Sequence, residues 1–130
     1  MKKITLLLVI IFTFLFSNTS WGDWSYVTEN VKGKFYYDKD RVRKSGKFLY
    51  FWELTDYIKP QYGDLSFTSY TQLDCSILRF KWLNLRGYKN SMGEGEITRD
   101  FTPKDEDKWV YPLPKSTFED MYNKICEEQQ

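Results

Sequence analysis

The chain has 130 residues, with 19 basic and 18 acidic side chains, no histidine and two cysteines. Near-balanced charge argues against nucleic acid or an anionic lipid surface as the main partner, because both are held by an excess of cations. Without histidine, Ser-His-Asp and Cys-His nucleophilic schemes are excluded and a zinc site is disfavoured, so no metal and no cofactor is expected.

The chain opens MKKITLLLVIIFTFLFSNTSWG: two lysines, an apolar run from Ile4 to Phe16 broken only by Thr5 and Thr13, then small and polar residues. This is the order of a secretory signal peptide, and the run is short for a membrane span of about 20 residues. Ser20 and Gly22 place the expected cleavage after Gly22, with Ser20 as second choice and an uncleaved anchor as the alternative. No cysteine lies near the cut, so a lipoprotein is not expected. Residues 23–130 then form one domain with no further apolar run long enough to span a membrane. Without Lys2 and Lys3, 17 basic residues face 18 acidic ones. The expected location is the periplasm or the cell surface.

The exported space is oxidising, so its cysteines tend to pair. Cys75 and Cys126 have one intramolecular connectivity; intermolecular pairing and two buried free thiols are the alternatives.

Trp24 to Glu29 alternates apolar and polar residues, the period of a half-buried strand. Gly33 precedes a second strand, Lys34–Asp38, and Asp38-Lys39-Asp40 reads as a turn. Val42 begins a short segment broken by Ser45-Gly46. Lys47–Ile58 is the strongest strand signal, with Phe48, Tyr50, Trp52 and Leu54 on one face and Leu49 and Phe51 on the other; apolar residues on both faces mark a central or doubly covered strand. Pro60 and Gly63-Asp64 read as a loop. Leu65–Leu85 reads as one long strand region, whose apolar face switches between Ile77 and Leu78, so a bulge or sharp twist is expected there. Arg86-Gly87 ends it, and Met92–Gly95 reads as a hairpin turn. Glu96–Phe101 is a strand, 103–108 a charged loop and Trp109–Tyr111 a short strand. Proline at 112 and 114 stops it.

The only clear helix is Thr117 to about Glu127. Ser116 and Glu119 have capping-box spacing. Phe118, Met121, Tyr122, Ile125 and Cys126 form one apolar stripe. Strands first and one helix last make an α+β chain, and a Cys75–Cys126 bridge would tie the helix to the sheet.

Chemistry is sparse. Asp38, Glu53, Asp56 and Asp74 are the candidates for the paired carboxylates of a carbohydrate-acting enzyme, but Asp38 and Asp40 also suit a turn, and Glu53 and Asp74 suit a solvated strand face. Glu94, Glu96, Asp100 and Asp105-Glu106-Asp107 could hold calcium, although the spacing of a calcium loop is absent and a solvated loop is the plainer reading. Trp24, Trp52, Trp82 and Trp109 could stack on sugars, or make the core. Lys32, Lys34, Arg41, Arg43, Lys44 and Lys47 cluster around the Asp38–Gly46 turn, either as a solvated face or as a docking patch for an acidic partner.

The ordered set Trp24-x-Tyr-Val, Phe35-Tyr-Tyr-Asp38, Gly46, Phe51-Trp-x-Leu-x-Asp-Tyr57, Asp74-Cys75 with Arg79, Gly93-x-Gly95, Trp109, Pro114-x-Ser116 and Cys126 resembles the surface-adhesin protein E family of Gram-negative bacteria. The resemblance implies a single antiparallel sheet, of about six strands here, with a C-terminal helix held by one disulfide. It also implies a non-catalytic surface protein that docks on host matrix or serum proteins, with a homodimer as one form. The alternatives are a periplasmic envelope or assembly protein of unknown ligand and, behind it, the carboxylate enzyme. The missing lipidated cysteine is a departure from the lipid-anchored adhesin that names the family.

Overall fold

In the computed structural model, the structure describes residues 23–104 and 108–130. The expected signal peptide, 1–22, and the acidic triplet Asp105–Asp107 lie outside them. The elements are β1 Ser25–Glu29, β2 Gly33–Tyr37, β3 Arg43–Ser45, β4 Phe48–Gln61, β5 Asp64–Asp74, β6 Arg79–Tyr88, β7 Ile97–Phe101 and α1 Thr117–Glu128. One sheet runs β1-β2-β4-β5-β6-β7, every pair antiparallel. The short β3 continues the line of β2 along the same side of β4: Gly33–Tyr37 pair with Tyr57–Glu53, and Arg43–Ser45 with Tyr50–Phe48. The strand count is therefore six along the path plus β3.

Local chemistry explains the hairpins. Tyr62 and Gly63 join β4 to β5 with φ of 53° and 85°, the type I′ geometry whose twist matches the flanking strands. Gly46, at φ 60°, takes the first place of the two-residue β3–β4 turn, as a II′ turn requires. Pro60 lies inside β4 rather than in a loop; it falls in the irregular stretch between Asp56 and Gln61 where the β4–β5 register breaks, so its missing N–H costs no ladder bond.

The expected strand from Leu65 to Leu85 is in fact two strands. Residues 75–78 are a hairpin turn. Asp74 Oδ1 accepts hydrogen bonds from the Ser76 backbone N–H (3.0 Å) and hydroxyl (2.5 Å), an Asx-type turn, and Leu78 sits at φ 42°. The change of apolar parity at Ile77–Leu78 is the chain reversing, not a bulge. The β5–β6 bulge is further on, where the register skips Leu83 between Tyr70–Asn84 and Thr71–Trp82. Likewise β6 runs through Arg86-Gly87 to Tyr88, and Trp109–Tyr111 contributes only a bridge from Val110 to Phe80.

Helix α1 covers one face of the sheet. Its stripe, Met121, Tyr122, Ile125 and Cys126, is buried against Phe35, Tyr37, Leu49, Phe51, Leu73 and Phe80. Ser116 Oγ caps the helix by accepting from the Glu119 N–H (3.2 Å). The glutamate reaches one residue further back than a capping box requires: its Oε1 accepts from the Lys115 N–H, because the Ser116 N–H is already given to the Leu113 carbonyl. Thr28 donates to Asp120, and Asn30 donates to Thr117, pinning the first turn to the β1 region. At the other end Lys44 Nζ donates to the Gln129 carbonyl (2.6 Å), a cation placed on the negative end of the helix dipole.

Cys75 and Cys126 form a disulfide with Cα atoms 5.8 Å apart, within the ordinary range. Cys75 lies in the hairpin turn after β5, not within a strand, but it still packs on the core. The bridge spans 51 residues and is worth about 4 kcal/mol in the chain-entropy account.

Candidate binding face

The two parities of β4 divide the molecule. Leu49, Phe51 and Glu53 face the helix. Phe48, Tyr50, Trp52, Leu54 and Asp56 face away, and the register carries that face across to Gln72, Tyr70, Thr68 and Ser66 on β5 and to Arg79, Lys81, Asn84, Arg86 and Tyr88 on β6.

Glu53 is buried on the covered face and Asp74 is fully buried, so neither takes the solvated strand face that was the alternative to a catalytic role. Glu53 Oε1 accepts hydrogen bonds from Trp82 Nε1 (2.9 Å) and the Tyr122 hydroxyl (3.1 Å). Burial pushes its carboxyl up to about 7, against the downward pull of the hydrogen bonds from Tyr122 and Trp82. Burial also pushes the Tyr122 hydroxyl well up, and the Glu53 charge adds to it. Asp74 behaves oppositely. Burial would raise it, but the Ser76 and Arg79 hydrogen bonds and the nearby Lys47 hold it below the usual carboxylate range.

These four carboxylates do not assemble a catalytic pair. Glu53 faces the helix, while Asp56 and Asp74 are on the other face. Asp74 is opposite Phe48 in the register, eight β4 residues from Asp56, or roughly 26 Å at about 3.3 Å per residue. Asp38 donates its N–H to the Trp52 carbonyl, four residues from Asp56, or roughly 13 Å. Two-carboxylate glycosidases need separations of about 5–9.5 Å. Among the described residues no cluster of three metal-ligating side chains forms. Glu94, Glu96 and Asp100 are exposed, with Asp100 paired to Arg86.

The open face carries a row of rings. Tyr50, Tyr70 and Trp52 neighbour one another at 6.4 and 5.2 Å between centroids. Arg43 lies over Tyr50 at 4.7 Å and Arg86 over Trp52 at 5.2 Å. Beyond Trp52 the β6–β7 loop folds back over the sheet. It is held there by Met92 N–H donating to Asp56 Oδ1 (2.9 Å) and Gly93 N–H donating to Ser66 Oγ (2.8 Å). This loop, the Asp23-Trp24 segment and the Asp38–Arg41 turn enclose a groove of about 1080 Å³. Trp52, Thr68 and Arg86 line it, and the buried Thr68 hydroxyl has no hydrogen-bond partner among the described residues.

The six cations expected to form one patch are spread out. Lys32 is in the β1–β2 turn and Lys34 pairs in register with Asp56. Arg41 lines the groove near Asp38 (3.7 Å). Arg43 is on the open face over Tyr50, Lys44 is on the helix side, and Lys47 lies 3.7 Å from Asp74. Of the four tryptophans named as stacking candidates, Trp82 belongs to the covered face, while Trp24, Trp52 and Trp109 are on the open side. Sequence reading missed Tyr70, Thr68, Arg79, Lys81 and Arg86. The even parity of β4 was their available signal, but it needed the β4–β5–β6 register to extend it.

The sequence model of the family described as "Surface-adhesin protein E" matches residues 24–127. The chain belongs to this family. Among solved structures it is similar to Haemophilus influenzae protein E in crystal form II, with a TM-score of 0.60 and 17% identity over 84% of this chain and 91% of that one. It is similar also to protein E from non-typeable Haemophilus influenzae, with a TM-score of 0.57 and 16% identity over 85% and 79%. At these identities the likeness is one of fold. No curated protein matches the chain. The adhesin E fold thus has one covered face and one open face in this member, and no helix among the described residues is long and apolar enough to cross a membrane.

Proposed function

We propose that this chain is an exported, non-catalytic binding protein of the adhesin E type, which docks a protein ligand on the open sheet face. Residues 1–22 serve as the signal peptide and 23–130 as the secreted domain. The observation that carries the reading is the aromatic row Tyr50-Tyr70-Trp52, half-buried and flanked by Arg43 and Arg86, running into the groove. Aromatic and arginine side chains gathered at a concave surface are the residue types that anchor protein interfaces. Arg41 at the groove and Arg43 at the end of the row are the members of the basic cluster placed to meet an acidic partner.

The test is capture of immobilised matrix and serum proteins by the folded domain, with Trp52→Ala and Arg86→Gln as face variants. Binding that both variants lose supports the reading; no binding by folded protein, or binding indifferent to both, overturns it. A second reading, a periplasmic envelope protein using the same face, is favoured by the absence of a cysteine near the expected cleavage point. Protease treatment of intact cells separates the two: a surface adhesin is cut, whereas a periplasmic protein is protected until the outer membrane is opened.

A further inference from the structure

The half of the open face away from the groove has its own composition. Phe48 and Trp109 lie together at 5.4 Å between centroids, tilted by 32°. Arg79 sits over Trp109 at 4.2 Å, Lys81 over the same ring at 4.5 Å, and Lys47 over Phe48 at 5.5 Å. Three cations therefore bracket one pair of rings. Lys47 and Arg79 share a single carboxylate, Asp74, which is fully buried and already accepts two hydrogen bonds from Ser76. Lys81 makes no ion pair among the described residues, and the Lys47 side chain is 57% exposed. On the same face Arg43 is on the same cross-strand rung as Lys81 through Tyr50 and Gln72, roughly 14 Å away at about 4.8 Å per strand. None of Lys47, Phe48, Arg79, Lys81 or Trp109 lines the groove.

Such a corner presents a compact cluster of fixed positive charge and little free ring surface. Cation–π contact holds each long side chain in place, so less side-chain entropy is lost when an anion binds. The occupied faces of Trp109 argue against a single-stranded nucleic acid, which needs open rings for its bases. A sulfated sugar chain needs only the cluster of cations, because its charges are external and permanent.

We propose that Lys47, Arg79 and Lys81, ordered on Phe48 and Trp109, form a binding site for a sulfated polysaccharide, separate from the protein-docking groove. The choice of an extracellular glycan rests on the reading that the domain is exported; the site itself rests on the charge and ring geometry.

The probe is a heparin oligosaccharide, titrated into the folded 23–130 domain at physiological ionic strength and followed by calorimetry. Lys47→Gln/Lys81→Gln is expected to weaken binding about tenfold, as two cations worth somewhat under 1 kcal/mol each would give. Lys32→Gln/Lys124→Gln removes the same charge from elsewhere and is expected to bind within about twofold of the parent. Arg79 is left in place because it neutralises buried Asp74, and an unchanged melting temperature checks that each variant is folded. No binding of heparin overturns the proposal. So does equal loss in both double variants, which would mark net charge alone, or equal binding of polyglutamate or single-stranded DNA through the same lysines, which would mark a general polyanion surface. Capture of protein ligands by Lys47→Gln/Lys81→Gln is expected to persist, so the failure of this site and the failure of the docking reading are separately visible.

Discussion

The two faces of this sheet are built from alternate residues of the same strands, and both are aromatic. On the covered face, rings meet rings: Phe80 lies 4.8 Å from Tyr122 and 5.3 Å from Trp82, and Phe35 packs edge-on against Phe118. On the open face, rings meet cations, at Tyr50, Phe48, Trp52 and Trp109. No covered-face ring has a cation over it among the described residues. Burial explains the division. A lysine or arginine under the helix would have to leave water, at a cost of several kcal/mol, whereas at a half-open surface its stem covers the ring while its charge stays solvated. An aromatic residue is therefore structural or available according to what shares its side of the sheet, not according to its type.

The difference can be broken most severely on the covered face. Cys75→Ser/Cys126→Ser should cost about 4 kcal/mol and lower the melting temperature by roughly 15–30 °C, read from thermal unfolding. A melting temperature within a few degrees of the parent would mean that the helix docks without its tether.

Adjacent residues on opposite faces give the sharpest contrast. Phe51→Ala, at a fully buried position, should cost about 3–4 kcal/mol in denaturant titration. Trp52→Ala should cost about 1 kcal/mol or less while abolishing capture of the protein ligand. Equal costs would erase the distinction between the faces.

Glu53 makes the covered face sensitive to pH. Its carboxyl titrates near 7 in the folded chain, against an ordinary value of 4.5. Between those values the unfolded chain releases this proton while the folded chain keeps it, so stability falls as pH rises through that window. The contribution is fully present below about 4.5 and lost by about 7, on the order of 3 kcal/mol in all. Glu53→Gln should flatten this slope and leave the variant more stable than the parent at pH 8; denaturant midpoints across pH check both. A parent whose stability rises between pH 5 and 7, or a variant with the same slope, would contradict it. The smallest effect belongs to Lys44→Ala at the helix C-terminus, which should cost about 0.3–1 kcal/mol and shrink with added salt.

Much of the architecture was readable from local pattern. Period-2 alternation marked the strands, the serine before Thr117 marked the start of α1, and two cysteines left one internal pairing. The errors have physical causes. The 75–78 turn contains neither glycine nor proline; it is made by the Asp74 side chain and by Leu78 in a left-handed conformation, so composition did not announce it. A solvated strand face is the alternative the sequence offers for Glu53 because a lone carboxylate is ordinarily kept in water, whereas here Trp82 and Tyr122, distant in sequence, donate to it. The six clustered cations separated because successive residues of a strand point to opposite sides, which sends Arg43 to the open face and Lys44 to the helix.

By itself, then, the sequence determined most of the elements in their order and the helix stripe that had to be buried, because these depend on neighbours a few residues away. Only the tertiary structure decided which aromatic parity of β4 would be covered and which left open. That choice depends on where α1 comes to rest, and its position is set by a disulfide spanning 51 residues and by contacts between opposite ends of the domain.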